Sequence, residues 1–89
     1  MVHESVISLT TAVIRPFDPG VLGFEADYAQ VELNGTAAKY WKGGSSPTVT
    51  IGFTMPQGST FLFERFQEIK EFRICASSGS GTLTIYARN

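Results

Sequence analysis

Short runs of alternating apolar and polar residues recur along this chain, and turn signals interrupt them about every 8–12 residues. Alternation puts successive side chains on opposite faces, so each run reads as a strand with one buried side. Residues 5–14 are rich in β-branched side chains. Val6, Ile7, Leu9, Val13 and Ile14 follow no helical stripe, and the run predicts a long first strand. Residues 15–20, with Pro16 and Pro19, stop it, and Pro19-Gly20 suits the centre of a type II turn. Residues 29–33 alternate and lead into Asn34-Gly35, the strongest short hairpin signal. Residues 36–41 are then expected to pair back as the second strand of that hairpin. Residues 48–53 alternate with Val49, Ile51 and Phe53 on one face. Residues 59–63, 71–76 and 82–87 repeat the pattern, with Phe72, Ile74 and Ala76 inward in one run and Leu83, Ile85 and Ala87 together in another. Two stretches, 21–28 and 64–70, read either as a single helical turn or as irregular connections. About seven strands follow. The expected fold is all-β, a small antiparallel β-sandwich or jelly-roll-like barrel. Residues 1–89 form one β domain, with 1–20 either its first strand or an N-terminal arm.

Such a domain has little margin of stability. A chain of 89 residues buries only roughly 60–65% of its unfolded surface, and Cys75 has no second cysteine to pair with. Charged residues are 17% of the chain, against a usual ~25%, yet seven Phe, three Tyr and one Trp need cover. These facts favour burial between subunits over a lone monomer with a Ser/Thr-rich surface. Tyr40, Trp41 and Phe17 are the expected contact residues. Val6, Ile7, Leu9, Val13 and Ile14 lie on a segment that either adds to a neighbour's open sheet edge or forms the first strand of its own sandwich.

Other function classes find little footing. The formal net charge is −1 with no basic run, which argues against nucleic-acid binding. No apolar stretch approaches the ~20 residues that span a bilayer, and residues 1–11 lack the basic and apolar regions of a signal peptide. His3 is the only histidine and Cys75 the only cysteine, too few for a tetrahedral metal site. Both are expected to be chemically idle. Asp18, Glu25 and Asp27 follow no regular calcium-loop pattern. Glu64, Glu68 and Glu71 interleave with Arg65, Lys70 and Arg73 as a solvated rim would. No glycine pair stands between a strand and a helix in the manner of a phosphate cradle. No catalytic residue, metal or cofactor is expected. Tyr40-Trp41, beside the loop of residues 42–47, can also stack on a sugar ring. The alternative function is therefore a carbohydrate-binding or receptor-binding module.

From Tyr28 to Arg88 the chain resembles the small β-sandwich structural proteins of tailed bacteriophages: head decoration, head fibre and tail accessory subunits. The likeness lies in Val31-Glu-Leu-Asn-Gly35, a Gly/Ser-Pro loop, Thr48-Val-Thr-Ile-Gly52 and the turn Pro56-Gln57-Gly58. It continues through residues 69–74, a Ser/Gly turn and Gly81-Thr-Leu-Thr-Ile-Tyr86. The N-terminal extension, residues 1–21, has no counterpart in that pattern. The resemblance implies a non-enzymatic virion protein, assembled in the host cytoplasm. It also implies a homo-oligomer, most often a trimer, seated on a larger shell protein.

Overall fold

In a computed structural model that describes residues 1–89, the alternating runs become seven strands and two short helices. In chain order these are β1 (Val2–Leu9), α1 (Pro19–Leu22), β2 (Tyr28–Asn34), β3 (Ala38–Trp41), β4 (Phe53–Met55), β5 (Thr60–Phe63), α2 (Phe66–Glu71), β6 (Arg73–Ala76) and β7 (Gly81–Arg88). One antiparallel sheet runs β1-β7-β2-β5 and the other β4-β3-β6. The fold is a small β-sandwich.

The inner faces follow the pleat. Leu9, Ala29, Val31, Leu33, Phe63, Leu83, Ile85 and Ala87 are buried from the four-stranded sheet, and Ala38, Met55, Ile74 and Ala76 from the three-stranded one. Phe17, Phe63 and Phe72 fill the space between the layers. Their ring centroids lie 6.3 Å (Phe17–Phe63), 6.1 Å (Phe17–Phe72) and 4.9 Å (Phe63–Phe72) apart. Each such side chain contributes about 1.5–3 kcal/mol when removed from water.

Two connections between the layers are laced together. Ser77 donates its backbone N–H and its hydroxyl to the Ala37 carbonyl, both at 3.0 Å. The Thr36 hydroxyl donates to the Ser78 carbonyl at 3.0 Å. Gly81 sits under this crossing, where a Cβ would stand 2.4 Å from the Asn34 carbonyl oxygen.

Four expectations are corrected. The first strand ends at Leu9, not Ile14. The Thr10 hydroxyl accepts the Ala12 N–H at 3.2 Å and bends the chain. Ile14 then exchanges backbone hydrogen bonds with Ile74, at 3.0 and 3.1 Å, beside the other sheet. The Asn34-Gly35 hairpin does not form, because β2 and β3 belong to different sheets. A two-residue type I′ turn needs positive φ at both centres. Gly35 has φ 89°, whereas no non-glycine residue is positive, Asn34 included. The strand expected over 48–53 survives only at Phe53. The Thr48 hydroxyl accepts the Ile51 and Thr50 N–H groups at 3.0 and 3.3 Å and curls residues 48–51 into a turn. Pro19-Gly20 opens α1 instead of a type II turn. Asp18 Oδ1 caps it through the Gly20 N–H at 3.0 Å, and Gly23, φ 85°, ends it.

The stretch left open at 64–70 is mostly helical. Ile69, fully buried, anchors α2. The Arg15 side chain donates to the Lys70 carbonyl and reaches Asp18 at 3.6 Å and Glu71 at 3.7 Å. That contact ties the loop before α1 to the last turn of α2.

Candidate interaction surfaces

The expected contact residues part company in the structure. Phe17 is 1% exposed and belongs to the core, so it offers no contact surface. Tyr40 and Trp41 are neighbours on β3 and therefore point to opposite faces. Tyr40 turns inward, with Phe61, Phe53 and Phe72 at ring-centroid distances of 5.2, 5.8 and 5.8 Å. Burial pushes its phenol up from the ordinary value, because the phenolate loses solvation there. Trp41 is half-buried, opposite Arg73 in the ladder, and meets Phe53 edge to face at 5.3 Å.

Around Trp41 lies an apolar surface that the alternation pattern had assigned to the interior. Phe53 and Ile51 are both 59% exposed, and Val49 is exposed beside them. Pro47 is buried and pins the loop, while Gly52 takes φ 130° with the Tyr40 backbone close against it. A Cβ at Gly52 would lie 3.1 Å from the Tyr40 carbonyl oxygen, so only glycine lets the turn return tightly to β3. This turn holds Val49 and Ile51 outward at the rim of β4. Gly52 and Pro47 were the sequence signals that the run was not a plain strand.

The second surface is the outer face of the four-stranded sheet. A shallow concavity of about 490 Å³ opens there, lined chiefly by Glu4, Val6, Gln30, Glu32, Thr84 and Tyr86. Tyr86 meets Tyr28 at 6.0 Å, and the Arg88 guanidinium lies 4.4 Å from the Tyr28 ring centroid. The mixture of carboxylates, an amide and a phenol ring can take hydrogen bonds from a polyhydroxylated ligand. Trp41 is not part of it.

The segment with exchange potential is divided. Val6, Ile7 and Leu9 lie on β1, which pairs with β7 of its own chain from Val2↔Arg88 to Leu9↔Gly81. Val13 is exposed, and Ile14 bridges to Ile74 in the other layer.

The titratable groups are scattered. His3 Nε2 stands 3.2 Å from the Ser5 hydroxyl on the same strand. Cys75 is fully buried, and burial raises its thiol above the ordinary value because the thiolate is poorly solvated. Asp18 caps a helix and faces Arg15, and Glu71 faces the same guanidinium. No three His, Cys, Asp or Glu side chains stand close enough to hold a metal ion. No protein-family model, curated protein or solved structure matches the chain.

Proposed function

We propose that the protein is a structural subunit of a virion, of the capsid-decoration or head/tail-accessory kind, that self-assembles and seats on a larger shell protein. The observation that carries the self-assembly is the apolar rim of exposed Val49, Ile51 and Phe53, the last of which packs on Trp41. Large exposed apolar clusters on small domains mark contact surfaces. In a chain with few charges and no disulfide, burying this one adds stability that the modest core lacks. The virion assignment rests on the resemblance over residues 28–88.

Light scattering at tens of micromolar tests it. The expected species is a multiple of 9.7 kDa, about 19 kDa for a dimer or about 29 kDa for a trimer. Phe53→Ser is expected to weaken any association made through the rim while leaving the far-ultraviolet circular dichroism unchanged. A chain that stays monomeric up to hundreds of micromolar refutes the reading.

A glycan-binding role is the second reading, and the concavity over Glu4, Gln30, Glu32 and Tyr86 favours it. Saturable binding of an oligosaccharide that Tyr86→Ala abolishes, in a chain that stays monomeric, is the result that would choose it.

A further inference from the structure

Two sheets have four edges, and three of them are short or covered. β4 has three residues and β5 four, each bordered by the turn at Pro56-Gln57-Gly58. The outer side of β6 is occupied by the segment after β1. Ile14 bonds to Ile74 there, and the Ala76 N–H reaches the Thr10 carbonyl at 2.8 Å. β1 is different. It has eight residues, pairs with β7 without a break, and contains no proline, lysine or bulge. Apart from the single charge of Glu4, it lacks the usual devices that blunt an edge strand.

The phase of the β1 hydrogen bonds is visible at its start. The Asn89 N–H donates to the Met1 carbonyl at 3.2 Å, so odd-numbered residues face β7. Val2, Glu4, Val6 and Ser8 therefore direct their N–H and C=O groups to the open side. Val2 and Val6 are also 58% and 65% exposed.

We infer that this edge is a self-pairing strand. Two copies join β1 to β1, antiparallel across a two-fold axis at Ser5, and build one continuous sheet of two four-stranded halves. The inference rests on the self-assembly reading and specifies one contact within it. The strand's own residues argue for a second copy as the occupant. Faces match only when even residues oppose even residues. A two-fold at Glu4 would set the two carboxylates directly against each other. A two-fold at Ser5 sets Val2 opposite Ser8 and Glu4 opposite Val6, and the four outward pairs exchange about eight hydrogen bonds. A two-fold at Val6 keeps only about six. In the Ser5 register the two Glu4 side chains are diagonal neighbours at roughly 7–8 Å, in water, where repulsion is weak. The connection from β1 leads to the β6 side of the sandwich, whereas β4 and β5 are joined at the other side. The Phe53 rim therefore stays free in the pair.

Ser5→Cys tests the register. At a two-fold, Ser5 faces its counterpart across a non-hydrogen-bonded pair with Cα atoms about 4.5 Å apart, within disulfide reach. Mild oxidation is expected to convert most of the variant to a linked dimer of about 19 kDa, and Val6→Cys and Glu4→Cys to remain unlinked. Cys75 is buried and stays silent. Val6→Pro removes an outward N–H that bonds to nothing within the chain, so the fold is retained while dimerisation weakens at least tenfold. Linkage through Val6→Cys instead of Ser5→Cys overturns the pairing. An oligomer that Phe53→Ser dissolves, but that Val6→Pro leaves intact and Ser5→Cys does not link, overturns the pairing and leaves self-assembly standing. A wild-type chain that remains monomeric overturns both.

Discussion

Gly81→Ala probes the crossing of the two layers. The added Cβ would lie 2.4 Å from the Asn34 carbonyl oxygen, 2.8 Å from Thr36 Cγ2 and 3.3 Å from the Thr36 nitrogen. Two of these neighbours are backbone, and Thr36 is itself held through its hydroxyl to Ser78. Neither can swing aside as a surface side chain would. The start of β7 must therefore move away from residues 34–36, which loosens the Ser77–Ala37 bonds and the Leu9↔Gly81 end of the first sheet. Overpacking of this kind costs about 1–3 kcal/mol, and the rigid backbone contacts place it in the upper half of that range. For a domain of this size about 1 kcal/mol shifts Tm by roughly 4–8 °C, so the expected loss is on the order of 10–20 °C. Gly43→Ala is the control, because a Cβ there meets nothing within 4 Å and its φ is not positive. Differential scanning calorimetry of both variants decides the matter. A Gly81→Ala transition within about 2 °C of the wild type would mean that the crossing is not packed in this way.

Two further outcomes follow from the core. Phe17→Ala empties the space shared with Phe63 and Phe72 and is expected to destabilise by about 3–5 kcal/mol, read as a lower urea midpoint. A loss below about 1 kcal/mol would contradict the burial of that ring. Burial raises Cys75 and Tyr40 from ordinary values of 9.0 and 10.0. The folded chain keeps protons that the unfolded chain releases, so stability is constant on this account below pH 9.0 and falls as pH rises past it. Cys75→Ala should flatten the first part of that fall in urea midpoints taken between pH 9.0 and 10.0, and identical slopes with and without the thiol would refute the assignment.

What alternation can tell is local, and there it succeeds. Leu83, Ile85 and Ala87 are buried together, as are Phe72, Ile74 and Ala76, because a period of two marks one face whatever the strand's partner. Which strand pairs with which is a long-range choice. Asn34-Gly35 has the composition of a hairpin, yet β2 gains more by pairing with β5 and β7 than by folding back onto β3. Alternation also fails to say which side is inside. Val49, Ile51 and Phe53 share a face of the kind alternation buries, while Phe17, isolated between two prolines, reads as a subunit contact. The structure reverses both, because the Thr48 turn curls Val49 and Ile51 outward, Phe53 stays exposed on β4, and the Phe63–Phe72 pair takes Phe17 in. Tyr40 and Trp41 were legible as an aromatic pair beside a flexible loop. Their division between the core and the rim follows from the pleat of β3, which turns neighbouring side chains to opposite faces.

The position of β7 has a consequence for how the chain is made. The last of the seven strands in chain order is an inner one, with β1 paired along one side and β2 along the other. Until residues 81–88 have left the ribosome, β1 has no partner in its sheet and β2 has only β5. This layer therefore cannot order before its C-terminal strand is made, and the β1–β7 pairing joins the first strand to the last, a long-range search of the kind found in slow folders. During that interval Val2, Val6 and Ile7 sit on an unpaired strand. Deleting residues 81–88 would remove the bridge between the first strand and all the others of its sheet.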